Sequence, residues 1–189
     1  TRGLNKMAAH FHLPQVTESE VLRVLHLESR ELWSRLWGSY DEAWADFFIR
    51  KMAAEEKYYL EISPGAVDLL RRLKKNGLGL GLATNRDRPW EALASVGLAP
   101  YFDTAVGALD VARGKPAPDM LLLALEQLRA DPGQTLYIGD APTDMAAAAR
   151  AGLRGVGLLE GAGLDRADLL AAGAWQIRST LPDLADLLG

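Results

Sequence analysis

The sequence predicts an α/β fold: a parallel sheet with helices on both faces over residues 62–189, preceded by an all-helical segment over residues 1–61. Two observations carry this reading. From residue 78 onward, short apolar runs alternate with longer amphipathic ones, which is how buried parallel strands and their crossover helices read. Before residue 62 the pattern is helical alone. Apolar positions there recur at three- and four-residue spacing, as in Val21, Leu22, Leu25 and in Leu32, Leu36.

The elements follow in order. Thr17 and Glu20 form a capping box ahead of the apolar run that starts at Val21. No Gly separates Gly3 from Gly38, and Pro14 is the only Pro between them, so residues 4–58 read as several helices with no sheet. Trp33, Trp37, Trp44, Phe47, Phe48, Tyr58 and Tyr59 crowd into this segment. Most of these rings are expected to pack as the core of a helical bundle, with Trp33, Trp37 and Trp44 also candidates to line an entrance. Ser63-Pro64-Gly65 breaks the pattern, and a helix carrying Val67, Leu69, Leu70 and Leu73 then runs to Gly77. Strands are expected at 78–83, 104–107, 135–138, 156–159 and 175–177. Helices are expected at 89–96, 117–129, 142–151, 165–172 and 181–188.

Composition narrows the function. A chain of 189 residues suits one full-sized domain with a small insertion. A net charge of −4 and a pI near 5.4 do not draw nucleic acid or an anionic membrane in bulk. The absence of cysteine excludes disulfides, thiol catalysis and cysteine-ligated zinc. No apolar run reaches the roughly 18 residues of a membrane span, and no charged-then-apolar signal opens the sequence. The expectation is a cytoplasmic protein with neither nucleic acid nor membrane as partner, its oligomeric state (monomer or homodimer) left open.

In open parallel sheets, sites form outside the carboxyl ends of the strands. Thr84 and Asn85 follow the first strand; they are either phosphate donors, with the backbone N–H groups of the next turn, or an ordinary turn. Lys115 lies in Gly114-Lys115-Pro116-Ala117-Pro118-Asp119, where two prolines stiffen the loop. It is either a solvated loop lysine or a cation held to meet clustered carboxylates and a phosphoryl group. Asp140 and Asp144 follow the strand at 135–138 and are four residues apart. Two such carboxylates repel unless a cation or proton sits between them, and paired hard oxygens suit Mg2+. The alternative is that Asp144 favours the positive helix N-terminus while Asp140 simply ends a strand. Their position as a pair at a strand end favours the metal.

Together these segments resemble the haloacid dehalogenase (HAD) superfamily. Leu82-Ala83-Thr84-Asn85, the Gly114–Asp119 loop, and Tyr137-Ile138-Gly139-Asp140 with Asp144 and Ala151-Gly152 match its second, third and fourth motifs in order and spacing. The resemblance covers about residues 62–188, and residues 1–61 look like the helical cap of phosphoglycolate-phosphatase-like members. It implies a Rossmann-like core and a Mg2+-dependent phosphatase for a small phosphorylated metabolite. Thr84, Asn85 and Lys115 would hold the phosphate, Lys115 also steadying the charged intermediate, while Asp140 would ligate the metal and Asp144 would do so directly or through water. Acid–base and nucleophilic roles would fall to two aspartates in an Asp-x-Asp sequence at the end of a first strand.

Residues 1–189 contain no such sequence; the first Asp is Asp41, in the aromatic helical region. With Thr1 as first residue, the expectation is an attacking Asp N-terminal to this chain, and no activity from residues 1–189 alone. Two alternatives stand beside hydrolysis. A phosphosugar mutase would return the phosphoryl group to a bound sugar. A non-catalytic HAD-like binding protein would have no Asp-x-Asp pair anywhere.

Overall fold

The computed structural model describes residues 1–24, 27, 29–55, 62–160 and 165–187. Leu25, Tyr58 and Tyr59 of the helical pattern lie outside the described residues, as does residue 188 at the end of the last expected helix. The chain divides into two compact units, Thr1–Leu60 and Glu61–Gly189.

The first unit holds α1 (Arg2–His10), α2 (Glu18–Val24), α3 (Ser29–Trp37) and α4 (Glu42–Glu55). The capping box at the start of α2 forms: Thr17 N and Thr17 Oγ1 both donate to Glu20 Oε2 at 2.7 Å, and Glu20 N donates to Thr17 Oγ1 at 3.3 Å. Asn5 ties α1 to the segment before that cap. Its amide donates to the Val16 carbonyl at 2.9 Å and accepts from Val16 N at 2.8 Å. Leu4, Met7, Val16, Val21 and Trp33 form the buried centre, with Phe11, Trp37, Trp44, Phe47 and Phe48 packed against it. Trp33 stacks on Trp37 with ring centres 5.6 Å apart and meets the Phe48 ring edge-on at 5.4 Å. Of the crowded aromatic residues, Trp33, Trp37, Trp44, Phe47 and Phe48 thus pack in the core of this unit.

The second unit alternates as expected. Its helices are α5 (Ala66–Lys75), α6 (Pro89–Ser95), α7 (Asp119–Leu128), α8 (Pro142–Arg150) and α9 (Arg166–Ala171). Its strands are β1 (Gly81–Ala83), β2 (Thr104–Val106), β3 (Leu136–Gly139), β4 (Arg154–Leu158) and β5 (Gln176–Arg178). Every pairing is parallel: Leu82 sits opposite Ala105, Ile138 opposite Val156, and Gly157 opposite Ile177. The strands form two sheets, β1-β2 and β3-β4-β5, where the sequence suggested one. Between β1 and β3 the Lys115 ammonium and the Tyr137 hydroxyl both reach the Ala83 carbonyl. One core joins the two sheets: Ala83 and Val106 from the first, Met120, Leu121 and Leu125 from α7, and Ala147, Ala148 and Ala151 from α8, with Tyr137 of β3 packed against them.

Some boundaries move for local reasons. The strand expected from residue 78 pairs only from Gly81, because Leu80 is tied to Asp103 instead: Leu80 N donates to Asp103 Oδ2 and Asp103 N to the Leu80 carbonyl, both at 2.8 Å. The last helix is a 3-10 turn at Pro182–Asp186, with Asp183 N, Leu184 N and Leu187 N each bonding three residues back. In β4, Gly155 and Gly157 leave room for Met145 and Ala148 of α8 and for Leu169 of α9. No helix among the described residues is long and apolar enough to cross a membrane.

Candidate active site

The turn after β1 begins at Thr84, whose N–H still donates to the Val106 carbonyl of β2 at 3.0 Å. Thr84 Oγ1 then accepts from Arg86 N at 3.3 Å, which bends the chain away. Gly107, just past β2, allows the turn to close. A Cβ there would lie 2.6 Å from the Arg86 carbonyl oxygen and 2.7 Å from Pro89. Asn85 reaches across to the next loop. Its Oδ1 accepts from Lys115 N at 3.0 Å and its Nδ2 donates to the Lys115 carbonyl at 3.4 Å. The amide thus grips the backbone of Lys115 from both sides and keeps one N–H for another acceptor.

The loop around Lys115 is held at further points. Arg113 pairs with Asp119 at 2.9 Å, and Arg150 of α8 donates to the Pro116 carbonyl. Lys115 is 8% exposed. Its ammonium turns inward and donates to the Ala83 carbonyl at 3.0 Å, the Tyr137 hydroxyl at 3.0 Å and Asp144 Oδ1 at 2.7 Å. It is therefore no solvated surface lysine. A buried ion pair of this kind is strongly destabilised by removing one partner, by roughly 3–5 kcal/mol, because the other charge is left without compensation.

Asp144 lies in the first turn of α8 and is 5% exposed. Its Oδ2 accepts from Asp140 N at 3.2 Å and Ala141 N at 3.1 Å, capping the helix, while Oδ1 takes Lys115 and the Tyr137 hydroxyl at 3.1 Å. All four acceptor positions of the carboxylate are in use. Gly139 makes this possible: a Cβ there would lie 2.5 Å from Asp144 Cβ. Asp140 keeps access to solvent at the end of β3. Its carboxyl is pushed above the usual range, first by partial loss of water and then by the negative charge of Asp144. The Tyr137 hydroxyl is pushed well above its usual range, first by burial and then by Asp144.

The structure thus brings Lys115 and Asp144 into contact, sets Asp140 beside Asp144, uses Asn85 to hold Lys115, and leaves Thr84 next to the carbonyl that Lys115 bonds. Two grooves of about 350 and 360 Å³ lie elsewhere, one lined by Lys74, Asp103 and Gln127, the other by Asp87–Glu91 and Asp110. Among the described residues, no group of three or more His, Asp or Glu is placed to share a metal ion. The donors fit a cation that takes one open carboxylate from the protein and completes its shell with water and phosphate, which is the habit of Mg2+. Asp140 carries the exposed carboxylate of this site, beside the buried carboxylate of Asp144.

A profile of haloacid dehalogenase-like hydrolases matches residues 2–158. The chain belongs to this family. Among curated proteins it is 39% identical over 115 positions to the phosphoglycolate phosphatase of Escherichia coli (strain K12), covering 56% of this chain and 46% of that protein. The chain therefore spans about half the length of the curated relatives it matches. Among solved structures, a haloacid dehalogenase-like hydrolase from Bacteroides fragilis superposes with a TM-score of 0.87 at 27% identity, covering 97% of this chain and 90% of that one. A protein described as a β-phosphoglucomutase from Thermotoga maritima superposes with a TM-score of 0.74, also at 27% identity, covering 98% of this chain and 89% of that one. The three HAD motif segments thus sit in the fold of that family.

Tyr137 is the site residue that the sequence did not reveal. It reads as one apolar strand position beside Ile138. The available signal was its hydroxyl: a tyrosine in a buried strand nearly always finds a polar partner, and this one lies three residues before Asp140.

Proposed function

We propose that this chain carries the phosphate- and metal-binding half of the machinery of a Mg2+-dependent phosphatase acting on a small phosphorylated metabolite. The observation that supports it is the buried Lys115–Asp144 pair at the carboxyl ends of β1 and β3, with Asp140 exposed beside it. A cation buried there and fixed on both its backbone and its side chain is suited to a transferring phosphoryl group. Its three protons already have acceptors, so an arriving phosphoryl oxygen shares or replaces one of them. The Thr84 hydroxyl, which accepts from Arg86 N and keeps its own proton, adds a neutral donor next to that point. Asp140 would hold Mg2+, with Asp144 contributing directly or through a water only by giving up one of its four present hydrogen bonds, and the bound ion would neutralise charge on the phosphoryl oxygens.

In this reading the attacking carboxylate, which forms an aspartyl-phosphate, comes from an aspartate N-terminal to residues 1–189, and the helical unit closes over the substrate as a cap. Phosphoglycolate is the first substrate to try, because the curated relatives carry that name. The test is phosphate release from an aryl phosphate and from phosphoglycolate by the protein as its gene encodes it. Release is expected only with Mg2+, and Asp140→Asn is expected to abolish it. Near-normal release by Asp140→Asn overturns the reading. The likeness to a protein described as a β-phosphoglucomutase favours a second outcome, phosphoryl return to a sugar. Isomer formation without net phosphate release would decide for it.

A further inference from the structure

The Lys115 ammonium has three N–H bonds, and the chain offers three acceptors: the Ala83 carbonyl, the Tyr137 hydroxyl and Asp144 Oδ1. One of these touches all the others. Tyr137 Oη lies 3.0 Å from Lys115 Nζ, 3.1 Å from Asp144 Oδ1 and 3.3 Å from the Ala83 oxygen. The four groups come from four places: the end of β1, the loop before α7, β3 and the first turn of α8.

Proton counting fixes the direction of these bonds. An ammonium only donates, so Tyr137 accepts from Lys115. Its own single proton then goes to Asp144 Oδ1, the nearer and charged acceptor. Lys115, Tyr137 and Asp144 therefore close a three-membered ring of hydrogen bonds. A lysine reaches its partners on a flexible four-carbon stem, whereas a tyrosine hydroxyl is placed by a rigid ring on a strand.

We propose that Tyr137 is a positioning residue: its hydroxyl closes the Lys115–Asp144 pair into a ring and so fixes where the Lys115 ammonium points. Tyr137 acts through Lys115 and not on substrate. The catalytic consequence rests on the phosphatase reading given above; the geometric one does not.

The test is Tyr137→Phe, which keeps the ring and removes the hydroxyl. Nitrogen-edited spectra selective for lysine ammonium groups are recorded on the chain, with Lys115→Met identifying the Lys115 signal. In the wild type that signal is expected to exchange slowly with water. In Tyr137→Phe it is expected to shift and to exchange about fivefold faster, the factor one net hydrogen bond is worth. A purely packing role would leave it unmoved, because the ring remains. An unchanged shift and exchange rate overturns the proposal. A second reading uses the wild type alone: the Tyr137 hydroxyl proton should show a nuclear Overhauser effect to the Lys115 ammonium, and its absence also overturns the proposal, whatever the variant's fold. In the turning-over protein, Tyr137→Phe is expected to lower kcat about fivefold with KM little changed. A protein that releases no phosphate but shows the spectral change defeats the function reading and leaves the positioning intact. Turnover with wild-type kcat and an unmoved Lys115 signal defeats the positioning alone.

Discussion

Gly139 has no side chain because Asp144 occupies the space one would need. A methyl group there would fall 2.5 Å from Asp144 Cβ and 2.6 Å from its Cγ and Oδ2. Those atoms are not the loose end of a long side chain; Cβ is fixed to the first turn of α8. Gly139→Ala must therefore push that turn off β3 and draw Asp144 away from Lys115. Overpacking of this kind costs roughly 1–3 kcal/mol, a drop of several degrees in melting temperature for a unit of this size. Thermal unfolding measures it, and an unchanged melting temperature would show that the turn is looser than the structure has it. The pair at Gly139 and Asp144 also explains why the two sequence alternatives for Asp144 are not exclusive. Its Oδ2 caps the helix, as the ordinary reading held, while Oδ1 holds the buried lysine. One carboxylate does both because its two oxygens point different ways.

At the scale of elements, the sequence revealed what depends on local pattern. The capping box at Thr17 and Glu20, the five strands and the helices between them each follow from neighbours in the chain. The contacts that link β1 to β3 do not, because they join residues far apart in the chain. Nor does the role of Tyr137, whose partners are 54 residues back at Ala83, 22 back at Lys115 and 7 on at Asp144. Asn85 was legible as a polar residue at a strand end, but not as the clamp on a loop 30 residues away. The late start of β1 has the same long-range cause, Asp103. That carboxylate bonds Lys74 Nζ of α5 at 2.7 Å and Leu80 N at 2.8 Å, and so joins a helix, the chain before β1 and the chain before β2. The Lys74 ammonium, first, and the Leu80 amide, second, hold its pKa below the ordinary carboxylate value. A carboxylate lowered on folding adds stability above its unfolded pKa, and that stability is lost as pH falls through the folded value. Asp103→Asn should therefore melt below the wild type at neutral pH, with the gap closing as pH falls below about 3.8. The pair is partly solvated, so the gap is modest and narrows in salt. A gap that persists unchanged into acid would mean that Asp103 acts by packing and not by charge.

At the scale of the whole molecule, the two units carry separate cores and separate reporters. Trp33 is 3% exposed in the first unit, where Trp37 and Trp44 pack close by. In the second unit Trp90 and Trp175 are 44% and 45% exposed. Unfolding changes the emission of a buried indole far more than that of one already in contact with water, so tryptophan fluorescence follows Thr1–Leu60. Far-UV circular dichroism is weighted to the longer unit, Glu61–Gly189. A unit with its own hydrophobic core can unfold as its own cooperative step. The first unit is short, and a core of that length leaves little stability in reserve. The fluorescence midpoint should therefore fall below the dichroism midpoint on heating. Leu125→Ala, in the core that joins the two sheets, removes a side chain that is 7% exposed and should cost about 2–5 kcal/mol. It is expected to move the dichroism midpoint toward lower temperature and leave the fluorescence midpoint in place. If both midpoints fall together, the two units melt as one cooperative whole, and the separate-core reading is overturned.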